Sequence, residues 1–508
     1  MTPATKTESR PEPSLAVQSA LLTGARVFGY VLAFFIPIVL VRIFSQTQFG
    51  LYKQTLLVAE TVLPVLNLGL NASLFYFLPR NRRQGHHFIL QALVLLWVLG
   101  LAGGLAIGLG AEPLARALCE PQLAACVPQL ASLLPIAAAY VAFSQPGDVL
   151  LYLPIIDRRP VVAAVLTVTN EALKLAVAAT AAVVYRTVSA VLLGTVILAV
   201  LRALVLLVYV RSRGRDEGGR TNRADLRRQL GYALPYAAAV VLEIALTKAH
   251  HYFVSTNVTS AQFAIYSTGV VQIPIAALLS TSVAEVLLVR ASAVYPTGDL
   301  VELHRLWIRS VSRLCVFIVP IWLGAEFFAP DLIDVLFGTS YLTATPVLRI
   351  FLFASLLTII IDHGILRAVG DTRFLFLANG LGLAVSLAWM AATPELYTLT
   401  GAVSAYVVGF GTTRVLGLAR VAHRLGVPLH RSFPFRSLMT AAVLAGVATA
   451  PFWLLTRSFA SPLARLAVGV PIVAVVYGLL VLATGLVSRD EALQLLARFR
   501  LKRAPDTT

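Results

Sequence analysis

Fourteen stretches of mostly apolar residues, each long enough to cross a bilayer as a helix, run through the 508-residue chain. A helix rising 1.5 Å per residue needs about 20 such residues to span roughly 30 Å of hydrocarbon. The stretches fall at about 19–43, 51–79, 87–110, 124–146, 160–185, 188–210, 229–254, 262–290, 310–327, 346–369, 374–393, 399–419, 437–455 and 463–487. None shows the sustained period-two alternation of a membrane barrel strand. Apolar residues make up 58% of the chain and charged residues 13%, against about 45–50% and 25% in soluble domains. That excess has no soluble interior large enough to hide it, and it excludes intrinsic disorder. Three cysteines in 508 residues exclude a disulfide scaffold. The predicted fold class is an all-α polytopic membrane protein of about 14 transmembrane helices. The first run is too long for a signal-peptide core and is expected to be retained. Prolines 37, 64, 135, 235, 274 and 320 fall inside predicted spans, where neighbouring helices tolerate them and kinks are expected.

The charges fix an orientation for these spans. Lys and Arg total 41 against 24 Asp and Glu, a net charge of +17. With the N-terminal side called inside, 29 basic residues fall on inside segments. Outside segments carry only Arg116, Arg186 and Arg457. This is a strong positive-inside pattern, predicting an even number of spans and both termini in the cytoplasm. The expected location is the cytoplasmic (inner) membrane. The segment 211–228, with seven arginines, is polar and glycine-containing. It reads as a cytoplasmic linker that contacts anionic lipid, not as a nucleic-acid surface.

The two halves resemble each other. Gln48-Phe49-Gly50-Leu51-Tyr52 and Gln262-Phe263-Ala264-Ile265-Tyr266 lie 214 residues apart, and the same offset carries Asp157-Arg158-Arg159 onto Asp371-Thr372-Arg373. Six spans per repeat give both halves the same orientation. The predicted organisation is an N-terminal tail at 1–18, a first lobe of helices at 19–210, the linker at 211–228 and a second lobe at 229–425. Two added helices at 426–487 and a C-terminal tail at 488–508 complete it. Two such lobes are expected to enclose a central cavity.

Charged and polar side chains within spans are costly against lipid, so they are expected to face the bundle interior. Lys53, Glu60, Pro64, Asn67 and Asn71 fall at intervals that place them along one face of the second span. The seventh span carries Tyr236, Glu243, Thr247 and His250 in the same manner, with Lys248 and His251 beside them. The first span has Arg26 with Tyr30 one turn on, and the sixth has Arg202. The tenth has Asp362, His363 and Arg367. Glu171 and Lys174 in the fifth are spaced to pair with each other. Gln272 and Glu285 fall in the eighth. Asn67 and Asn71 also suit hydrogen bonding between helices. Arg42, Lys53 and Glu285 lie near span ends, where they can snorkel. His250 and His251 have no third partner that would make a metal site. The chain contains no phosphate-loop motif, no Cys-x-x-Cys and no His-Glu-x-x-His, and its outside loops are short. An enzyme is therefore not expected.

The segment from Arg42 to Tyr52, RIFSQTQFGLY, resembles the first extracytoplasmic turn of bacterial polysaccharide flippases. Leu66 to Leu70 (LNLGL) and Phe75 to Arg80 (FYFLPR) continue the likeness. In the second half Ser260 to Tyr266 (SAQFAIY), Phe337 to Tyr341 (FGTSY) and Gly370 to Arg373 (GDTR) do the same. The likeness covers about residues 15–425. The family belongs to the multidrug/oligosaccharidyl-lipid/polysaccharide exporter superfamily. The resemblance implies two six-helix lobes, often with two added helices. It implies alternating access that moves a polyprenyl-diphosphate-linked oligosaccharide to the outer leaflet for cell-surface polysaccharide biosynthesis, of the lipopolysaccharide or exopolysaccharide kind. It makes Arg26 the first expected headgroup contact, with Lys53, Lys248, Arg202, Asn67 and Tyr30 as further cavity residues. Glu243, Glu60 and Asp362 are the expected proton or sodium couplers. No cofactor or metal is expected. The expected partners are the lipid-linked substrate, membrane lipids, and a polysaccharide polymerase and glycosyltransferases, with no nucleic acid; the chain is expected to be a monomer. A cation-coupled drug or metabolite exporter of the same superfamily is the alternative, and a membrane glycosyltransferase or polymerase is the alternative from a different class.

Overall fold

A computed structural model describes residues 15–80, 85–120, 125–213, 223–392 and 399–486. The N-terminal tail, the middle of the basic linker, Arg82 and Arg83, and the C-terminal tail lie outside the described residues. The fold is all-α: the described residues are 90% helical, and fourteen helical stretches among them are long and apolar enough to cross a membrane. Their order matches the fourteen expected runs, with differences in bounds at several spans; the fourth runs on to Ile156, ten residues past its expected end. The ninth starts ten residues earlier, at Leu300, because Asp299 caps it by accepting from the Glu302 backbone N–H at 2.8 Å. The tenth extends back through a short irregular helix to Thr339. The eighth begins only at Pro274, since Ser260–Gly269 forms a separate helix ahead of it.

The described chain divides into two compact units. The first comprises Met1–Ala117 and Leu123–Ala238. The second comprises Leu118–Gln122 and Ala239–Thr508, so the division falls inside the seventh span, Arg223–Asn257.

The sequence repeat reappears as local structure. Ser45 and Thr259, 214 residues apart, each begin a helix in extended conformation and accept from the backbone N–H three residues on. Gln48 and Gln262 return the bond to the cap backbone, completing a capping box in each half. Phe49 and Phe263 are buried beneath these caps, as are Tyr52 and Tyr266.

In the first unit, the third and fourth spans approach closely at Gly100 and Gly104. A Cβ at either would come within 2.8 Å or 2.7 Å of the Ala142 or Ala138 carbonyl oxygen. Small residues thus permit the contact that dispersion needs when lipid supplies no hydrophobic drive. Gly382 and Gly409 do the same for the eleventh and twelfth spans of the second unit, with 2.7 Å and 2.6 Å to each other's carbonyl oxygens. A core of Leu, Ile and Val side chains around Trp307 fills the second unit, and the Trp307 indole donates to the Ser432 carbonyl at 2.6 Å. The two added spans, Phe435–Thr456 and Pro462–Ala483, dock in the same unit. Ala445, Ala448, Val473 and Tyr477 pack on Val316 of the ninth span, and the Tyr477 hydroxyl donates to the Val316 carbonyl at 2.8 Å.

Candidate functional site

The second and fourth spans of each half are discontinuous. In the first half the second span runs Gln46–Asn67, breaks at Leu68 and Gly69, and resumes as Leu70–Arg80. Leu68 has φ 48° and Gly69 has φ 70°, a left-handed turn that a leucine adopts only under constraint. The counterpart in the second half unwinds between Gly269 and Pro274. The fourth span is interrupted for one residue at Asp148, between Cys126–Gly147 and Val149–Ile156; Asp148 keeps right-handed dihedrals (φ −64°, ψ −26°), so the interruption is a kink after Pro146 more than an unwinding. The tenth breaks between Leu357 and Asp362. Irregular backbone at membrane depth survives only where protein or water satisfies it. In transporters built from repeats, such breaks mark the working region.

The first span packs along the fifth, Pro160–Tyr185. Their seam meets at Gly29, where a Cβ would lie 3.3 Å from Glu171 Cγ. On that first span Arg26 and Tyr30 are exposed, Tyr30 to 58%. Among the described residues, the Arg26 side chain makes no hydrogen bond or ion pair. Lys174 Nζ pairs with Glu171 Oε1 at 2.8 Å, as the i,i+3 spacing implied. Asn170 donates to the same Glu171 oxygen at 2.7 Å.

On the second span Lys53 is half-buried with its ammonium 5.7 Å from the Phe49 ring centre, and Glu60 is exposed. Asn67 ends the first segment and accepts from the Asn71 backbone N–H at 3.5 Å across the break. Pro64, one of the prolines where kinks are expected, lies inside the helix; the interruption falls one turn later, where Leu68 turns left-handed. Gln145 of the fourth span donates to the Leu63 carbonyl beside it.

In the second unit Glu243 is exposed on the seventh span and Lys248 is half-buried. His250 is buried, with Nδ1 2.5 Å from the Tyr266 hydroxyl and its ring 4.6 Å from that of Tyr406. It belongs to an aromatic cluster. No group of three or more metal-ligating side chains occurs among the described residues.

Two of the expected site residues already hold ionic partners. Arg202 Nη2 lies 2.7 Å from Asp148 Oδ1, and Asp362 Oδ1 lies 2.5 Å from Arg414 Nη1. Neither partner stood out in the sequence. Asp148 lies just past the expected end of the fourth run, and Arg414 lies within the twelfth span, Leu399–Leu425. A signal was present: Asp148 and Asp362 are separated by the repeat offset of 214.

The comparisons with known proteins agree with this architecture. No curated protein sequence matches the chain. Among solved structures, the lipid II flippase MurJ in an inward closed conformation aligns with a TM-score of 0.70 at 13% identity, covering 91% of this chain and 99% of that one. An inward-facing multidrug resistance MATE family transporter of the MOP superfamily gives 0.60 at 13% identity, over 82% and 95%. A MOP superfamily transporter from Pyrococcus furiosus gives 0.58 at 12% identity, over 82% and 97%. At such identities the likeness concerns the fold alone. A family model described as "Polysaccharide biosynthesis protein" matches residues 39–346, more than half of the sequence and most of the repeated region. The chain therefore belongs to the polysaccharide biosynthesis protein family.

Proposed function

We propose that this protein is a flippase that moves a polyprenyl-diphosphate-linked oligosaccharide across the cytoplasmic membrane by alternating access, serving cell-surface polysaccharide biosynthesis. The observation that carries the reading is the family match over residues 39–346, on a fold that aligns with a lipid II flippase along nearly its whole length. The physical task suits the chain. A diphosphate cannot cross about 30 Å of hydrocarbon unaided, and guanidinium groups replace its hydration by charge-assisted bonds. Arg26, exposed and unpaired among the described residues, is the first contact in this reading. Tyr30, Lys53, Asn67 and Lys248 are the further contacts, and Glu243 and Glu60 carry coupling to H+ or Na+. Both termini lie in the cytoplasm by the charge distribution. Cys119 and Cys126 are disulfide-bonded on a segment that this orientation places outside, where the compartment is oxidising.

Reconstitution into liposomes with a defined polyprenyl-diphosphate-linked oligosaccharide and a leaflet-accessibility assay tests the proposal. Transfer dependent on the protein is expected. Failure to move that probe, together with efflux of an organic cation, would favour the exporter reading instead. In the same liposomes Glu243→Gln is expected to weaken the response to a pH or sodium gradient. An unchanged response would remove Glu243 as a coupler.

A further inference from the structure

The ion pairs at the breaks of the fourth and tenth spans belong to a larger repeated arrangement. Nine residues after Asp148 comes Asp157, and nine after Asp362 comes Asp371. Both members of each set are 214 residues from their counterparts. In the first half, Asp148 is held by Arg202, and Asp157 accepts from the Tyr209 hydroxyl at 2.7 Å and pairs with Arg213. In the second half, Asp362 is held by Arg414, and Asp371 accepts from Arg420 Nε and Arg424 Nε, each at 2.7 Å. All the gripping residues sit on or at the end of the last span of their own half, Val188–Ser212 or Leu399–Leu425. The outer grips share an i,i+4 spacing: Tyr209 with Arg213, and Arg420 with Arg424. In each half a short helical segment is thus pinned to the last span at both ends.

The two break-point pairs differ in enclosure. Asp362 has a side chain only 4% exposed. Gly417 lies so close that a Cβ there would meet Asp362 Oδ2 at 2.0 Å. Arg414 also donates to the Ile360 carbonyl at 3.4 Å and lies 4.6 Å over the Phe410 ring. Asp148, by contrast, is 36% exposed. Besides Asp148, Arg202 reaches only Asn170 Oδ1 among the described residues, at 3.5 Å; the Nε of Arg202 and that of Arg414 both lack a hydrogen-bond partner there. Asn170 in turn donates to Glu171, which holds Lys174. Arg202 therefore has an alternative polar chain beside it; the enclosure that differs is the carboxylate's, since Asp362 is buried and Asp148 is not, while Arg202 and Arg414 are themselves both largely covered.

We infer that each half carries the same two-point clamp on its discontinuous fourth span, permanent at Asp362–Arg414 and releasable at Asp148–Arg202. The four residues are positioning residues. They hold the broken segment in place, and release in the first half frees the segment beginning at Val149 to move during transport. A carboxylate and a guanidinium in a membrane interior are tolerated as a pair and are costly apart. A pair whose carboxylate is buried should stay closed, and one whose carboxylate is uncovered can open.

The clamp is tested in the full-length protein by double-mutant cycles and by hydrogen exchange. In detergent, Asp362→Asn and Arg414→Gln should each lower the melting temperature, and the double variant should recover most of the loss. Additive losses would overturn the clamp. Asp148→Asn and Arg202→Gln should leave melting nearly unchanged but cut transfer of a labelled polyprenyl-diphosphate-linked sugar by about fivefold or more, with coupling between them. Wild-type transfer in either variant would overturn the releasable role. That last readout rests on the flippase reading, and if wild-type protein moves no probe, that reading fails separately. Exchange in the unmodified protein then decides: residues 149–156 should exchange faster than 362–368, and equal protection would overturn the difference between the halves.

Discussion

Arg26 and Asp371 show how one charge acts in two settings. Arg26 is exposed on the first span with no ionic partner among the described residues. A charge-assisted hydrogen bond contributes about 1.5–3 kcal/mol, and tenfold corresponds to about 1.4 kcal/mol. Arg26→Ala should therefore lower polysaccharide export about tenfold or more while membrane insertion stays normal, measured as surface polysaccharide against protein level. Normal export would remove Arg26 as a headgroup contact. Asp371 is buried in the turn before the eleventh span. Its hydrogen bond from Arg424, supported by Arg420, holds the carboxyl below the ordinary carboxylate value. A group depressed in the folded state stabilises above its unfolded pKa and loses that contribution as pH falls through its folded pKa. Asp371→Asn should therefore melt lower than the parent at pH 7, and the gap should narrow below about pH 4. A gap that stayed constant into acid would show that the carboxylate charge is not what stabilises the turn.

At the scale of elements, the spans were legible because their signal is local: an apolar run of the right length needs no partner to be recognised. The capping boxes at Ser45 and Thr259 rest on an equally local pattern, since Ser-x-x-Gln and Thr-x-x-Gln act within one helical turn. The breaks were not legible. Pro64 is a site where a kink is expected, but the helix absorbs it and turns at Leu68. The fourth span is interrupted at Asp148 just after Pro146, where a proline within the helix favours a kink. Helix contacts depend on which small residues meet. Gly409→Ala would place a Cβ 2.6 Å from the Gly382 carbonyl oxygen, and overpacking of this kind costs about 1–3 kcal/mol. A lower melting temperature in detergent is expected. An unchanged one would mean that the eleventh and twelfth spans can separate without loss.

For the whole molecule, the proposed orientation rests on the excess of basic residues on inside segments over the three outside, a sum over loops that moving one residue such as Arg414 into a span does not reverse. The disulfide-bonded Cys119 and Cys126 offer an independent check. Nonreducing peptide maps of protein taken from membranes should recover them linked, with Cys315 as a free buried thiol. Recovery of Cys119 and Cys126 as thiols would count against an outside location. The candidate site was half legible at this scale. Charged residues inside spans announce themselves by their cost in lipid, so Arg202 and Asp362 were found. Their partners were not, because Asp148 and Arg414 come from other spans, 54 and 52 residues away. By itself the sequence determined the fold class, the number of spans and the internal repeat, because length, hydropathy and periodicity are properties of the chain read in order. Only the tertiary structure decided which charges neutralise each other and where the spans break. Those outcomes depend on distances between side chains on different helices, which no linear pattern specifies.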